Sequence, residues 1–178
     1  PVTTRSTDSA PIAVDRPGEW NETWALAVAF GLASVPWTYT FVAGLHLPLW
    51  PSFVASASFF AAGGGLRGLV RSYLGNLAGI LYAVATIAVV AAVGGGPVAL
   101  SLVVGAFMLL ASLHALVPGL DFAPAAFFGY ATAFGVHSAG AAAFGLTGPA
   151  GEGTAAVVAM LLGAAIGLSV ERIAGRLA

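Results

Sequence analysis

The sequence predicts an all-α membrane protein, with six transmembrane helices arranged as two inverted three-helix repeats. Three observations predict this fold. Of the 178 residues, 59% are hydrophobic and only 7% are charged, whereas a soluble domain carries about a quarter charged residues. Glycine and proline clusters divide the apolar sequence into six segments. Short motifs of the first three segments return, in the same order, in the last three.

The composition also excludes several classes of protein. Cysteine is absent, so the chain has no disulfide framework and no thiolate metal site. The six basic residues are all arginine, and they form no basic patch. We therefore expect no nucleic-acid partner.

The polar segment 1–22 precedes the first apolar segment. It lacks the apolar core that directly follows the basic start of a secretory signal. We therefore expect a cytoplasmic tail here, and a second short cytoplasmic end at 172–178.

Six spans follow from the requirement of about 20 apolar residues to cross the hydrocarbon. They are expected at residues 23–45, 49–65, 68–93, 97–117, 122–144 and 154–171. The second is short, which indicates a tilted or partly irregular element. Arg67 and Arg71 follow the second span, and Arg172 and Arg176 end the sixth. Because loops rich in Arg and Lys stay in the cytoplasm, the N-terminus and the C-terminus are both expected inside.

Two alignments indicate an internal duplication. SFVASASFFA (52–61) matches AFFGYATAFG (126–135) at an offset of 74, and LGNLAGI (74–80) matches LGAAIGL (162–168) at an offset of 88. Each half, 23–93 and 97–171, has an odd number of spans, so the second copy enters the membrane inverted. Such repeats place a binding site near the bilayer midplane, between the halves. The alternative is that duplication only doubled a hydrophobic bundle.

Polar and aromatic side chains within the spans are candidates for lining such a path. They are Phe53, Ser56, Ser58 and Phe60 of the second segment, Asn76 of the third, and Phe127, Tyr130, Thr132 and Phe134 of the fifth. Hydroxyl groups replace the hydrogen bonds of water, and rings form a constriction. The alternatives are that aromatic rings fill the core, that hydroxyls bond to carbonyls of their own helix, and that Asn76 joins helices rather than touching solute.

Glycine spacing predicts close helix contacts. Gly75 and Gly79, like Gly163 and Gly167, lie four residues apart, and this spacing lets helix backbones approach closely in membranes. His114 is either a gate or pH sensor, or a bundle histidine whose hydrogen bonds are satisfied.

Two loop acids, Asp121 and Glu152, are expected at the mouths of the path, where an oligomer would arrange each as a ring that enriches cations. The alternative is that both are simply solvated. Three scattered histidines do not have metal-ligand spacing, so no metal and no cofactor are expected. No catalytic set of residues is present in the sequence, so we expect no enzyme.

Four blocks of sequence resemble a known family. They are WPSFVASASFFAAGGGLRGL, the following NLAGILYA, the LVPG that leads into FFGYATAFG, and the closing LLGAAIGLSVE. From about residue 24 to the C-terminus the chain is similar to the bacterial inner-membrane family catalogued as domain of unknown function 1097. LDFAPA makes the turn before FFG a few residues longer than in that family. The resemblance implies a small multi-span protein of the bacterial inner membrane, and no catalytic residues.

The function expected from these features is a channel or facilitator for a small, largely uncharged solute, working as a homo-oligomer in the lipid bilayer. A cation-permeable channel is one alternative, because GGGLRG (63–68) resembles the glycine-rich turn of trimeric intracellular cation channels. A structural or accessory subunit without an open path is the other.

Overall fold

The computed structural model describes residues 22–178, and residues 1–21 of the expected N-terminal tail lie outside the described residues. Within this range the chain forms six α-helices and no strand. The helices are α1 (Glu22–Tyr39), extended by a π-helical turn (Thr40–Leu45), α2 (Trp50–Ala61), α3 (Gly65–Ala92), α4 (Pro97–Leu113), extended by a 3₁₀ turn (His114–Leu116), α5 (Ala123–Ser138) and α6 (Gly148–Leu177). The all-α expectation is therefore confirmed for the described chain.

Four helical segments are long and apolar enough to cross a membrane: α1 with its π-helical turn, α3, α4 with its 3₁₀ turn, and α6. The other two are short. Helix α2 has 12 residues and α5 has 16, which is about 18 and 24 Å at 1.5 Å per residue. The hydrocarbon is about 30 Å thick, so by length these two helices differ from the full spans expected at 49–65 and 122–144.

Glycine conformation and proline position explain the shifted ends. Gly63, Gly64 and Gly65 all have positive φ and stop α2. Gly140 also has positive φ and turns the chain after α5, within a stretch that hydropathy alone assigned to a span. Helix α6 begins earlier than expected because Pro149 occupies its first turn, where a missing N–H costs nothing.

Helices α3 and α6 form the centre of the bundle. The short helix α5 packs mainly on α3, and the short helix α2 packs mainly on α6. Helix α1 packs on α6 and α4 packs on α3, so these two helices are peripheral. The shared core is built largely from alanine, with Ile80, Met160 and Val136 among its larger fully buried side chains.

Each short helix runs parallel to the long helix that it contacts. Along α6, Gly163 faces Ser52 and Gly167 faces Ser56, so both chain segments advance in the same direction. Along α3, Gly75 faces Ala125 and Gly79 faces Ala126 and Tyr130. The helices of each parallel pair, α2 with α6 and α3 with α5, are not consecutive in the chain. This is expected, because a short loop reverses the chain and joins consecutive helices in antiparallel directions.

Contacts between turns define two ends of the bundle. At one end Arg71 pairs with Asp121 and Glu171 contacts the start of α3; we call this the arginine end, because Arg67, Arg71, Arg172 and Arg176 belong to the helix termini found there. At the opposite end His137 pairs with Glu152.

Candidate functional site

The buried face of α3 carries polar side chains at helical spacing. Ser72, Asn76 and Thr86 have no exposed surface and share this face with Gly75 and Gly79. An amide or hydroxyl buried without a partner costs a few kcal/mol. The partners of these groups therefore decide whether the face serves only for packing.

Three helices meet at Asn76. Its backbone carbonyl lies against Gly129 of α5, where a Cβ atom would collide with it. Its side-chain Oδ1 accepts a hydrogen bond of 3.2 Å from the Ser58 hydroxyl of α2. The amide Nδ2 has no partner among the described residues. Turning the amide over would exchange its two ends and still leave one of them unpartnered.

Two further hydroxyls, one on each short helix, also lack partners in the described chain. Thr132 lies one turn beyond Gly129 on α5 and is fully buried, and its Oγ1 has no hydrogen-bond partner in the described chain. The same holds for the Ser56 hydroxyl on α2, which lies next to Gly167 of α6. We call Ser56, Ser58, Asn76 and Thr132 the central polar residues. Their side chains can donate and accept hydrogen bonds without carrying charge.

A second chain of polar side chains lies further along the same buried face of α3. The Tyr130 and Thr86 hydroxyls are 2.9 Å apart, and Thr86 also donates to the Tyr82 carbonyl at 2.8 Å. The Tyr82 hydroxyl lies 3.4 Å from Nδ1 of His114. His114 is buried and its Nε2 has no partner in the described part of the chain. Helices α3, α4 and α5 are thereby linked through side chains.

The aromatic candidates are split between the surface and the interior. Phe53 and Phe127 are 41% and 39% exposed, and Phe53 stacks on Trp37 with ring centres 4.5 Å apart. Phe60 lies between Phe30 and Phe59, at 5.5 and 4.9 Å. Phe134 lies 4.9 Å from Tyr130. The structure therefore joins Ser58 to Asn76, places Ser56 against α6, and leaves Phe53 and Phe127 exposed.

All four candidate packing glycines lie at helix contacts. A Cβ atom on Gly79 would collide with the Ala126 carbonyl, and one on Gly163 with the Ser52 carbonyl. On Gly75 it would lie 2.6 Å from the Ala125 methyl, and on Gly167 it would lie 2.9 Å from the Phe59 ring. These positions set the distance between each short helix and its long neighbour.

Both candidate mouth acids are paired. Asp121 accepts hydrogen bonds of 2.9 and 3.2 Å from Arg71. The Arg71 hydrogen bond holds the pKa of the Asp121 carboxyl below its usual value of 3.8, and the positive charges of Arg71 and Arg67 act in the same direction. Glu152 lies 2.7 Å from Nδ1 of His137. Within residues 22–178, no three His, Asp or Glu side chains come together in a way that would hold a metal ion.

A cavity of about 920 Å³ opens at the arginine end, between the start of α1 and the end of α6. Glu22, Glu171 and the ring of Phe60 are among the residues that line it. Ser56 lies one helical turn from Phe60 on α2. The cavity thus reaches the same helix that carries two of the central polar residues.

Sequence reasoning missed several of these contacts. Thr86 follows Asn76 through steps of three and four residues, by way of Gly79 and Ala83, and this helical spacing would have placed it on the same face. A second such contact is made by Glu171, whose Oε2 accepts a hydrogen bond of 2.8 Å from the backbone N–H of Gly65. No local pattern signals that contact, because it joins residues 106 positions apart in the sequence.

The fold and its buried polar residues define a helical membrane-type protein, with two short helices packed beside two long central ones. The chain belongs to the family described as Protein of unknown function (DUF1097), whose model matches residues 27–175. The resemblance noted in the sequence is thereby confirmed. No curated protein and no solved structure matches the chain.

Proposed function

We propose that this protein is a passive channel or facilitator for a small, largely uncharged solute in the bacterial inner membrane, acting without a catalytic step. One observation carries the proposal: Ser56 Oγ, Asn76 Nδ2 and Thr132 Oγ1 are buried without partners in the described bundle. Inside a bilayer no lipid group satisfies such atoms. A transient solute or water molecule would supply the missing hydrogen bonds.

The chemistry of these groups favours a neutral solute. The buried polar side chains of the described chain are serine, threonine, asparagine and one histidine, with no carboxylate, lysine or arginine among them. A charged solute would leave water without meeting an opposite charge, which costs several kcal/mol. A neutral molecule with both donors and acceptors meets matching hydroxyl and amide groups.

Helix packing supports a site between two inverted repeats, α1–α3 and α4–α6. Helix α2 packs on α6 as α5 packs on α3, and α1 packs on α6 as α4 packs on α3. A pair of short segments at corresponding positions of two halves is a marker of a midplane site, and α2 and α5 form such a pair. Ser58 and Thr132 occupy equivalent positions at the offset of 74.

The contacts favour a different register for the third helix of each repeat. Gly163 meets the backbone of Ser52, and Gly79 meets that of Ala126, which is the partner of Ser52 at the offset of 74. Within the proposed repeat, Gly79 therefore corresponds to Gly163. This register is one turn from the alignment of LGNLAGI with LGAAIGL, since a GxxxG frame matches itself after a shift of four residues.

The test is solute flux into liposomes that contain the purified protein, measured by light scattering after an osmotic jump with water, urea or glycerol. We expect faster swelling than in empty liposomes. Thr132→Val and Ser56→Ala should each reduce this excess rate by about fivefold, since a buried hydrogen bond contributes about 1 kcal/mol. Ser101→Ala is the matched control, because the Ser101 hydroxyl is exposed and bonds to its own helix at Pro97. Rates equal to those of empty liposomes would refute the proposal.

A cation-permeable channel is the second candidate, favoured by the two carboxylates, Glu22 and Glu171, that line the 920 Å³ cavity. It requires ionic current across a planar bilayer that falls on Glu22→Gln. Current without neutral-solute flux would select this candidate. The absence of both would leave a structural or accessory subunit as the function.

A further inference from the structure

A second cavity lies at the arginine end, away from the central polar residues. Its volume is about 330 Å³, and it is lined by Arg67, Val70, Arg71, Gly119 and Asp121. The start of α3 forms one wall, and the turn between α4 and α5 forms the other. From this cavity we propose a binding site for the headgroup of an anionic phospholipid, an inference that does not depend on the proposed transport function.

The two arginines of the cavity have different roles. Arg71 is held by two hydrogen bonds to Asp121, and its guanidinium lies 5.4 Å from the centre of the Phe122 ring. Asp121 thereby neutralises one of the two positive charges. The Arg67 side chain is exposed and makes no hydrogen bond within the described chain, so the cavity keeps one net positive charge and a guanidinium with free donors. The planar fork of guanidinium donors matches the oxygens of a phosphate group.

An exposed apolar surface next to the cavity selects a lipid over free phosphate. Leu66, Val70 and Leu74 are spaced by four residues along α3 and are all exposed, and Val70 also lines the cavity. Leu116 and Val117 are exposed beside the opposite wall. An acyl chain lying on this surface would bring its phosphate to the end of the helix, where Arg67 lies. Basic pockets between helix ends bind lipid headgroups in this way.

Native mass spectrometry of the full chain in a neutral detergent tests the site, with dioleoyl phosphatidylglycerol as the probe. We expect one molecule to bind per protomer more tightly than dioleoyl phosphatidylcholine, and inorganic phosphate at the same concentration to compete poorly. Equal binding of the two lipids would overturn recognition of the anionic headgroup. Full competition by inorganic phosphate would overturn the lipid as the ligand.

Two variants should shift the affinity in opposite directions. Arg67→Gln should weaken phosphatidylglycerol binding about tenfold, as expected for loss of a charge-assisted hydrogen bond, and Arg67→Lys should weaken it less. Asp121→Asn removes the competing carboxylate and releases Arg71, so it should tighten binding. Arg176→Gln is the control, since Arg176 belongs to the same end but does not line the cavity.

Unchanged affinity in Arg67→Gln, or weaker binding in Asp121→Asn, would overturn the site. The melting temperature in detergent without lipid shows whether each variant is folded. If Arg67→Gln does not fold, the opposite shifts expected for Arg67→Lys and Asp121→Asn still test the proposal.

Discussion

Asn76 is the residue where packing and solute contact compete most directly. It bonds to Ser58 through one end of its amide, and the other end has no partner in the described chain. We predict that Asn76→Leu changes the free energy of unfolding by less than about 1 kcal/mol, because removal of the unsatisfied Nδ2 offsets the cost of leaving the Ser58 hydroxyl without a partner. Solute flux should fall to the level of empty liposomes.

Thermal unfolding in detergent and the liposome assay measure these two effects separately. A variant that is much less stable but transports at the normal rate would assign Asn76 to packing alone. The Ser101→Ala control should change neither quantity.

The contact glycines predict a large effect from a single methyl group. Gly79→Ala and Gly163→Ala each place a methyl against a backbone carbonyl of the neighbouring helix. Overpacking of this kind costs about 1–3 kcal/mol, so both variants should unfold at lower denaturant than the wild type. Equilibrium unfolding in mixed detergent micelles measures the difference.

Gly105→Ala is the matched control for these substitutions. Gly105 lies within α4, and nothing lies within 4 Å of the position that its Cβ would take. Alanine is favoured over glycine in a helix by up to about 1 kcal/mol, so this variant should be equally or more stable. A loss of stability as large as that of Gly79→Ala would contradict the account of helix contacts.

At the scale of elements, Glu171 joins the end of α6 to the start of α3. Gly64 has a φ of +66°, a backbone conformation that residues with a side chain rarely adopt. The Glu171 carboxylate occupies the space where a Gly64 side chain would lie. The carboxylate accepts the Gly65 N–H, which α3 cannot satisfy internally. Its negative charge also lies at the positive end of the helix dipole.

We predict that Glu171→Ala lowers the free energy of unfolding by about 1 kcal/mol, the typical effect of losing a helix cap. Glu171→Gln keeps an acceptor and should lose less. Ser169→Ala is the control, because the Ser169 hydroxyl is exposed and bonds to its own helix. Thermal unfolding of the three variants in one detergent compares them, and equal stability of Glu171→Ala and the wild type would exclude the cap.

The Arg71–Asp121 pair joins α3 to the turn before α5, and its effect on stability depends on pH. The pKa of Asp121 is lowered in the folded state by Arg71. The pair therefore stabilises the fold fully above the ordinary carboxyl pKa of 3.8, and this contribution is lost as the pH falls through the lower folded-state value.

We predict that the difference in melting temperature between wild type and Asp121→Asn is constant from pH 5 to pH 8. The difference should shrink as the pH falls below 3.8, and it should disappear below the lowered folded-state pKa, where Asp121 is protonated in both states. Melting curves over a pH series measure it. A difference that disappears near pH 6 would indicate a histidine rather than this aspartate.

An element could be predicted from the sequence where the interactions that form it join residues close together in the chain. Helix positions could be predicted because hydropathy and Gly/Pro breaks are local, and Asn76 and Thr132 could be chosen because polar residues are rare in apolar segments. The early end of α5 could not be predicted, since the alanines around Gly140 are as apolar as the residues of a membrane span. The Ser58–Asn76 bond and the Glu171 cap could not either, because both depend on how distant segments pack.

At the scale of the whole molecule, the two short helices raise the question of how the chain crosses the membrane. Helices α2 and α5 are each shorter than the hydrocarbon thickness, but the turns before and after each of them lie at opposite ends of the bundle. Arg71 and Asp121 mark the start of α5, and His137 and Glu152 mark its end. The long helices α3 and α6, unlike α2 and α5, are long and apolar enough to cross the whole hydrocarbon.

The absence of cysteine makes this topology testable with single introduced thiols. Leu45→Cys and Val93→Cys place a thiol at the ends of α1 and α3, and Leu66→Cys and Val117→Cys place one at the arginine end; all four positions are exposed. With six crossings and both termini inside, a membrane-impermeant maleimide should label Leu45→Cys and Val93→Cys in intact cells. Leu66→Cys and Val117→Cys should react only after the membrane is opened. Labelling of Leu45→Cys and Leu66→Cys from the same side would mean that α2 does not carry the chain across, and the inverted repeat would be excluded.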